Sequence, residues 1–358
     1  MNIFKKSLLI LSIATFAISC SDDTNTVNPT PLGAYENGVL ILNQGGFQKN
    51  NAGLSYLSND LNTFQNNIFA LVNPTITLGD TGQDVGFNDN LVYVVLNGSN
   101  KIQIANRFTL QNIATIATGL TNPRYITFYN GKGYVTCWGN AANTTDDYVA
   151  VLNLTTNVVS STIPVAEGPE RILQNNGKLY VAHKGGYGYG NTISVINTTT
   201  NAVSATITVG DVPESMRVVG QTLYVLCSGR PSFAIPQTAG QLNKVDLLGN
   251  AVASSITFAA TTVHPSNLDV FNDELYYTVA ENIFKTPIAS TTLPTTPLFS
   301  TTPQGVYGIY SFEVENNKIY VGDAGNYSDN GKVYVYSLSG TLQNTRTVGI
   351  IPAGFYFN

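Results

Sequence analysis

From about residue 37 onward the chain is filled with short runs in which apolar and polar residues alternate, as in "KLYVAH", "TISVINT" and "AVSATITVG". Alternation at period two, in runs rich in Val, Ile, Thr and Tyr, predicts half-buried β-strands. Asn-Gly and Asn-Asp pairs punctuate the runs and supply the positive φ angles that two-residue hairpins demand. The pattern repeats on a larger scale. A Gly, Pro or Ile is followed eleven residues later by Tyr at Gly82/Tyr93, Pro123/Tyr134, Pro169/Tyr180, Pro213/Tyr224, Pro265/Tyr276 and Ile309/Tyr320. Successive tyrosines lie 41 residues apart at the closest (93 to 134) and 52 at the widest (224 to 276). That period fits a four-stranded propeller blade and is far too long for a leucine-rich repeat.

One copy can be read strand by strand: "RILQ", the turn "NNGK", "LYVAH", the loop "KGGYGYGN", "TISVINT", the turn "TTN", then "AVSATITVG". Six such copies run from about 80 to 348. The segment 37–70 supplies the second, third and fourth strands of a seventh, as "GVLILNQ", "GLSYLSN" and "TFQNNIFA". Its first strand is missing there, and "IPAGFYF" at the far end, with Pro352 in the repeat position, supplies it. The expectation is an all-β, seven-bladed β-propeller of four-stranded blades spanning 36–358. Pairing of the C-terminal strand with the N-terminal blade closes the ring and removes its unpaired edges.

The segments "LYVA", "ISVI" and "TNAVSATI", and their counterparts "YVTCWG", "YVAVLNLTTN" and "VVSSTIPV", resemble the YVTN-type (YncE-like) propeller repeat. The beginning of the chain carries a second resemblance. Lys5 and Lys6 precede "SLLILSIATFAIS", too short to span a membrane comfortably, and "AISC" resembles a bacterial lipobox. That resemblance implies a signal peptide at 1–19 and a lipidated Cys20, followed by a flexible Asn/Thr/Pro tether to residue 35. The "SDD" after Cys20 resembles the signal that sends lipoproteins of Bacteroidota to the outer face of the outer membrane. Together these features look like the surface-exposed propeller lipoproteins of that phylum. Some of those capture cobalamin and pass it to a TonB-dependent transporter; a periplasmic relative shares the repeats.

Composition narrows the partners. Only 11% of the 358 residues are charged and the formal net charge is −5. With no basic patch, nucleic acid and anionic membrane are poor partners, and contact with a membrane is expected through the lipid anchor only. A weakly charged polar surface suits sugars or other uncharged, amphipathic molecules, bound by a monomeric propeller.

Topology then sorts the loops. In an up-and-down blade the second-to-third and fourth-to-first connections share one face. The first are long and aromatic here ("NQGGFQKNNAG", "WGNAANTTDD", "KGGYGYGN", "SGRPSFAIPQTAG", "DAGNYSDNGK"), whereas turns on the opposite face are minimal. Long loops on a rigid scaffold carry binding residues. The expected ligand contacts are Trp138, Tyr187, Tyr189, Arg230, Phe233 and Tyr327 in the loops, with Arg124, Arg171 and Asn267 at the mouth of the central channel. The charged mouth residues Arg124, Glu170, Arg171 and Glu214 have a second reading, as ion pairs holding neighbouring blades.

Catalytic groups are scarce, and neither a catalytic set, a cofactor nor a metal is expected. Cys137, His183 and Cys227 occupy the same repeat position in successive blades. Sheets packed about 10 Å apart cannot share a metal whose ligands lie about 2.0–2.3 Å from it. His264 lies in a loop of the ligand face with no orienting partner visible. The reading is a non-enzymatic, lipid-anchored surface protein that binds a small molecule or glycan beside a TonB-dependent transporter. A propeller lyase or lactonase and a protein-docking module are the alternatives. Replacing Cys20 by Ala should release soluble protein. Replacing Asp22 and Asp23 by Ala should leave it anchored but shielded from external protease. Full cleavage of the double variant on intact cells would refute the export signal.

Overall fold

The computed structural model describes residues 32–358. The expected signal peptide, Cys20, the "SDD" signal and most of the tether lie outside the described residues. Seven four-stranded antiparallel sheets account for nearly all of the regular structure. The first blade comprises Gly82–Asn88, Leu91–Leu96, Lys101–Asn106 and Asn112–Ile116. The innermost strands of the next five are Pro123–Tyr129, Pro169–Asn175, Pro213–Val219, Pro265–Phe271 and Ser311–Glu315. Each is followed by its second, third and fourth strands moving outward. The innermost strands touch in cyclic order, and the seventh blade's touches those of both the sixth and the first. The molecule is a seven-bladed β-propeller.

The turn chemistry is as the sequence requires. Asn130 and Gly131, Asn176 and Gly177, Asn272 and Asp273, and Asn316 and Asn317 all have positive φ, the signature of hairpin turns that match strand twist. The repeat tyrosines Tyr93, Tyr134, Tyr180 and Tyr320 are completely buried between blades, with Tyr224 and Tyr276 nearly so. At the end of each second strand, Cys137, His183 and Cys227 pair in register with Pro123, Pro169 and Pro213, and all three are buried. They are therefore equivalent interior positions of separate sheets.

The seventh blade is assembled from both ends of the described chain. Pro352–Phe357 pairs antiparallel with Gly38–Asn43, with Leu40 opposite Tyr356 and Ile41 opposite Phe355. Beyond the pairing, Asn358 is clamped. Its backbone N–H donates to Gly38 O at 2.8 Å, and its side chain donates to Tyr35 O at 2.8 Å. Arg107 Nε of the first blade donates to Asn358 Oδ1 at 2.6 Å. The two faces of this blade pack on different neighbours: Leu40, Leu42 and Leu54 against Val92 and Val94, and Ile41, Leu57 and Phe355 against Tyr320 and Val335.

The outer edge differs from expectation. "TFQNNIFA" is not a full strand: only Phe64–Gln65 pairs, and a short helix, Ile68–Val72, follows. Asn67, at φ 54, turns the chain off the sheet, and Ile68 and Phe69 insert into the core shared with the first blade. Asn73 fixes the end of the helix by donating to Phe69 O and Leu110 O at 2.9 and 2.8 Å and accepting from Asn112 N at 2.9 Å. Burying two large apolar side chains outweighs a few outer-edge hydrogen bonds that water can replace.

Deleting residues 350–358 removes the buried Ile351 and Phe355 and exposes the whole edge of Gly38–Asn43. Each such side chain is worth roughly 1.5–3 kcal/mol, against a total stability of about 5–15 kcal/mol. The truncated protein should aggregate or melt far below the intact one in a thermal scan. An unchanged melting temperature would mean that this strand contributes nothing to the ring.

Candidate functional site

The centre of the ring is shaped by one local irregularity repeated from blade to blade. Pairing of the innermost strand slips between Gly82 and Asp84, Pro123 and Ile126, Pro169 and Ile172, Pro213 and Ser215, and Ser266 and Asp269. Such bulges leave backbone groups without a ladder partner, and buried N–H groups must find another acceptor. The neighbouring blade provides it. Ile126 N donates to Asp84 Oδ2 at 2.9 Å, Leu268 N to Ser215 Oγ at 2.8 Å and Asn267 N to Glu214 Oε2 at 2.9 Å; in the sixth blade, whose innermost strand pairs without a slip, Val314 N likewise donates to Asp269 Oδ2 at 2.6 Å. Polar residues after the repeat Gly/Pro thus stitch the innermost strands together around the axis.

Inside this collar lies a polar cavity of about 390 Å³. All seven blades line it, among them through Gln83, Tyr125, Arg171, Glu214, Asn267, Glu313 and Tyr356. Its cations are not equivalent. Arg124 forms a two-pronged pair with Glu170, at 3.0 and 2.9 Å. Arg217 donates from Nε to Asp269 at 2.8 Å and from one terminal nitrogen to both Glu313 oxygens at 2.9 and 3.0 Å. Arg171 has neither an ion pair within 4.0 Å nor a side-chain hydrogen bond among the described residues, and nor has Lys184. The Arg171 guanidinium instead lies over the Tyr125 ring, 4.3 Å from its centre, and Tyr125 is held in turn by Gln83 Nε2 at 3.1 Å from its hydroxyl.

Burial in this collar shifts the titrating groups. Asp84 is pushed up to about 6 by burial, against the pull of the Ile126 N–H, Arg171 and the Tyr356 hydroxyl, which donates to it at 3.0 Å. Burial also raises Glu313, with Arg217 opposing it. Burial alone would lower Arg171, but the negative potential of Tyr125, Glu214 and Asp84 outweighs it and keeps the guanidinium charged.

Of the residues expected to contact a ligand, the structure brings Arg124, Arg171 and Asn267 together on the cavity wall. The loop residues lie outside it. Trp138 is engaged by its neighbours: its Nε1 donates to Pro169 O at 3.1 Å, and Arg124 lies 4.5 Å from its ring centre. Arg230 pairs with Asp211 at 3.1 Å and sits 5.9 Å from the Tyr189 ring. Tyr187 and Phe233 are 82% and 81% exposed, Tyr187 meeting the Trp138 ring edge-on at 6.1 Å. Tyr327 meets Tyr310 edge-on at 5.9 Å, and Tyr310, which lines the cavity, donates to Gln44 at 2.7 Å. The second reading of the mouth charges holds for Arg124 and Glu170. Lys184, Arg217 and Glu313 were missed. Arg217 and Glu313 lie four residues after Pro213 and Ile309, further along the alternation of the innermost strand, and that spacing is the signal that could have revealed them.

The long "KGGYGYGN" loop is pinned by close backbone approach. At Gly168, φ 64, an added Cβ would collide with the backbone of Gly185 and Gly186, so only glycine fits there. His264 is committed as well: Nδ1 lies 2.9 Å from Ser228 O and Nε2 3.0 Å from Gln237 Nε2, which ties the 228–240 loop to the blade.

Residues 37–357 match the family described as a domain of unknown function, DUF5074. No curated protein matches the sequence. Among solved structures, a quinonprotein alcohol dehydrogenase-like protein from Bacteroides thetaiotaomicron superposes with a TM-score of 0.65 at 15% identity, covering 90% of this chain and 78% of that one. Hydrazine synthase of Kuenenia stuttgartiensis gives 0.57 at 15% identity, covering 74% and 85%. BamB from Moraxella catarrhalis gives 0.51 at 14% identity, covering 88% and 84%. At these identities the likeness is one of fold.

The raised Asp84 carboxyl has a signed consequence. A folded-state value of about 6 above an ordinary 3.8 means that the native state holds its proton more tightly than the unfolded chain does. The associated stability is present below about pH 4 and lost as pH rises through about 6. Asn at this position is neutral throughout and can still accept from Ile126 N. Asp84→Asn should therefore gain on wild type between pH 4 and 7, by about 2–3 kcal/mol in denaturant titrations. A difference independent of pH would show that Asp84 is charged with an ordinary affinity for its proton.

Proposed function

The chain belongs to the DUF5074 family, and we propose that it is a non-catalytic binding protein that takes a small polar molecule into its central cavity. One observation carries this reading. In a collar where Arg124 and Arg217 are neutralised by carboxylates, Arg171 faces a cavity of about 390 Å³ with its hydrogen-bonding edge uncommitted. Leaving a half-buried cation unpaired is costly, and ligand-binding clefts hold such convergent polar groups. The tie of Glu313 to Arg217 and the engagement of both His264 nitrogens support binding over turnover.

The setting proposed rests on motifs near residue 20. The lipobox-like "AISC" and the "SDD" after it support a lipid-anchored protein on the outer face of an outer membrane, working beside a TonB-dependent transporter. The rim supports a partner on the same face. Phe47, Tyr187, Phe233, Ile235, Tyr307 and Tyr327 are all more than half exposed there, and exposed apolar groups of this kind mark interaction surfaces. Cobalamin, haem and oligosaccharides are the first ligands to screen.

A thermal-shift screen tests the assignment to the cavity. A ligand present at a hundred times its dissociation constant stabilises the fold by about 2.7 kcal/mol. The shift should survive Tyr187→Ala and Phe233→Ala and vanish in Gln83→Trp, where the indole fills the cavity mouth. A ligand retained by Gln83→Trp and lost by the rim variants would move the site to the loops. Chemical conversion of the ligand during incubation would establish an enzyme instead.

A further inference from the structure

We infer that the molecule taken into the cavity carries a carboxylate and that Arg171, assisted by Lys184, receives it; this rests on the cavity reading above. Three features of the wall converge on that chemistry. The first is the state of Arg171. Its guanidinium is oriented by stacking on Tyr125, so its position is fixed while its donors remain unused. A planar fork of N–H donors is the geometric complement of a carboxylate. The second is Lys184, which follows directly on the second strand of the same blade, Lys178–His183, and lines the same cavity without an ion pair within 4.0 Å among the described residues.

The third is the disposition of negative charge. The nearby carboxylates are occupied elsewhere: Asp84 by Ile126 N and Tyr356, Glu214 Oε2 by Asn267 N, and Glu313 by Arg217. None of them reaches Arg171 within 4.0 Å, yet Glu214 and Asp84 lie close enough to raise its proton affinity. Glu214 and Glu313 also face the cavity. A dianionic phosphate would meet their repulsion, whereas a carboxylate adds a single charge between two cations. Around it Gln83 Oε1, Gln44 Nε2 and Asn267 Oδ1, whose partner amide atoms are engaged, remain for the neutral part of such a molecule.

The test uses the whole protein and three probes built on one sugar ring: glucuronate, glucose and glucose 6-phosphate. Each is titrated calorimetrically into wild type, Arg171→Gln and Arg171→Lys. In parallel, small molecules retained from a bacterial extract are identified by mass spectrometry and titrated in the same way. The expected result is that glucuronate binds and glucose does not, or that the retained molecules carry carboxylates. Their affinity should fall at least tenfold in Arg171→Gln and less in Arg171→Lys, with melting temperatures confirming that both variants fold. Retained molecules that lack a carboxylate, a preference for glucose 6-phosphate, or carboxylates that bind Arg171→Gln undiminished would overturn the inference while leaving the cavity as a binding site. If no probe binds at millimolar concentration and nothing is retained from the extract, the cavity reading falls with it.

Discussion

Everything at the centre of this molecule depends on one main-chain pairing, that of Pro352–Phe357 with Gly38–Asn43. Without it the edge of Gly38–Asn43 that faces the axis would stand unpaired and the seventh blade would lack its innermost strand. The pairing does more than satisfy backbone groups. It brings Tyr356 within 3.0 Å of Asp84 and places Ala353, Gly354 and Phe355 on the cavity wall. It also sets Ile41 and Phe355 against one neighbouring blade while Leu40 and Leu42 face the other. The site and the closure are therefore the same construction seen from two sides.

The repeat was legible because its physical requirements are local. A tyrosine buried between blades, a hairpin turn with positive φ and, in five of the seven blades, a proline opening the innermost strand recur in sequence at the blade period. Even the split blade could be read, because "GVLILNQ" lacks a partner that "IPAGFYF" matches in pattern. The helix at Ile68–Val72 was hidden because "TFQNNIFA" contains apolar residues at intervals that suit either element. Only the pocket between the first and seventh blades, which takes Ile68 and Phe69, decides between them.

The site was legible in part, and for a reason that can be stated. Position after the repeat proline tells which side chains face the axis, and Arg124, Arg171 and Asn267 do line the cavity there. It could not tell which charges cancel. Whether Arg124 meets Glu170 while Arg171 meets none is a matter of side-chain reach between adjacent blades. The aromatic loops stand apart from the cavity for a related reason. Trp138 has the look of a ligand platform, but its ring backs Arg124 and its N–H is taken by Pro169.

The bond between Asp84 and Tyr356 joins residues 272 positions apart. During synthesis the first six blades can form sheets in order as they emerge, since each is continuous in sequence. The cavity cannot. Until the strand bearing Tyr356 has left the ribosome and found Gly38–Asn43, the collar is an open arc, and Arg171 faces bulk water in place of an enclosed pocket. On the binding reading proposed above, competence would then arrive in a single late step, once that strand has paired, and a chain lacking it could not compete for ligand.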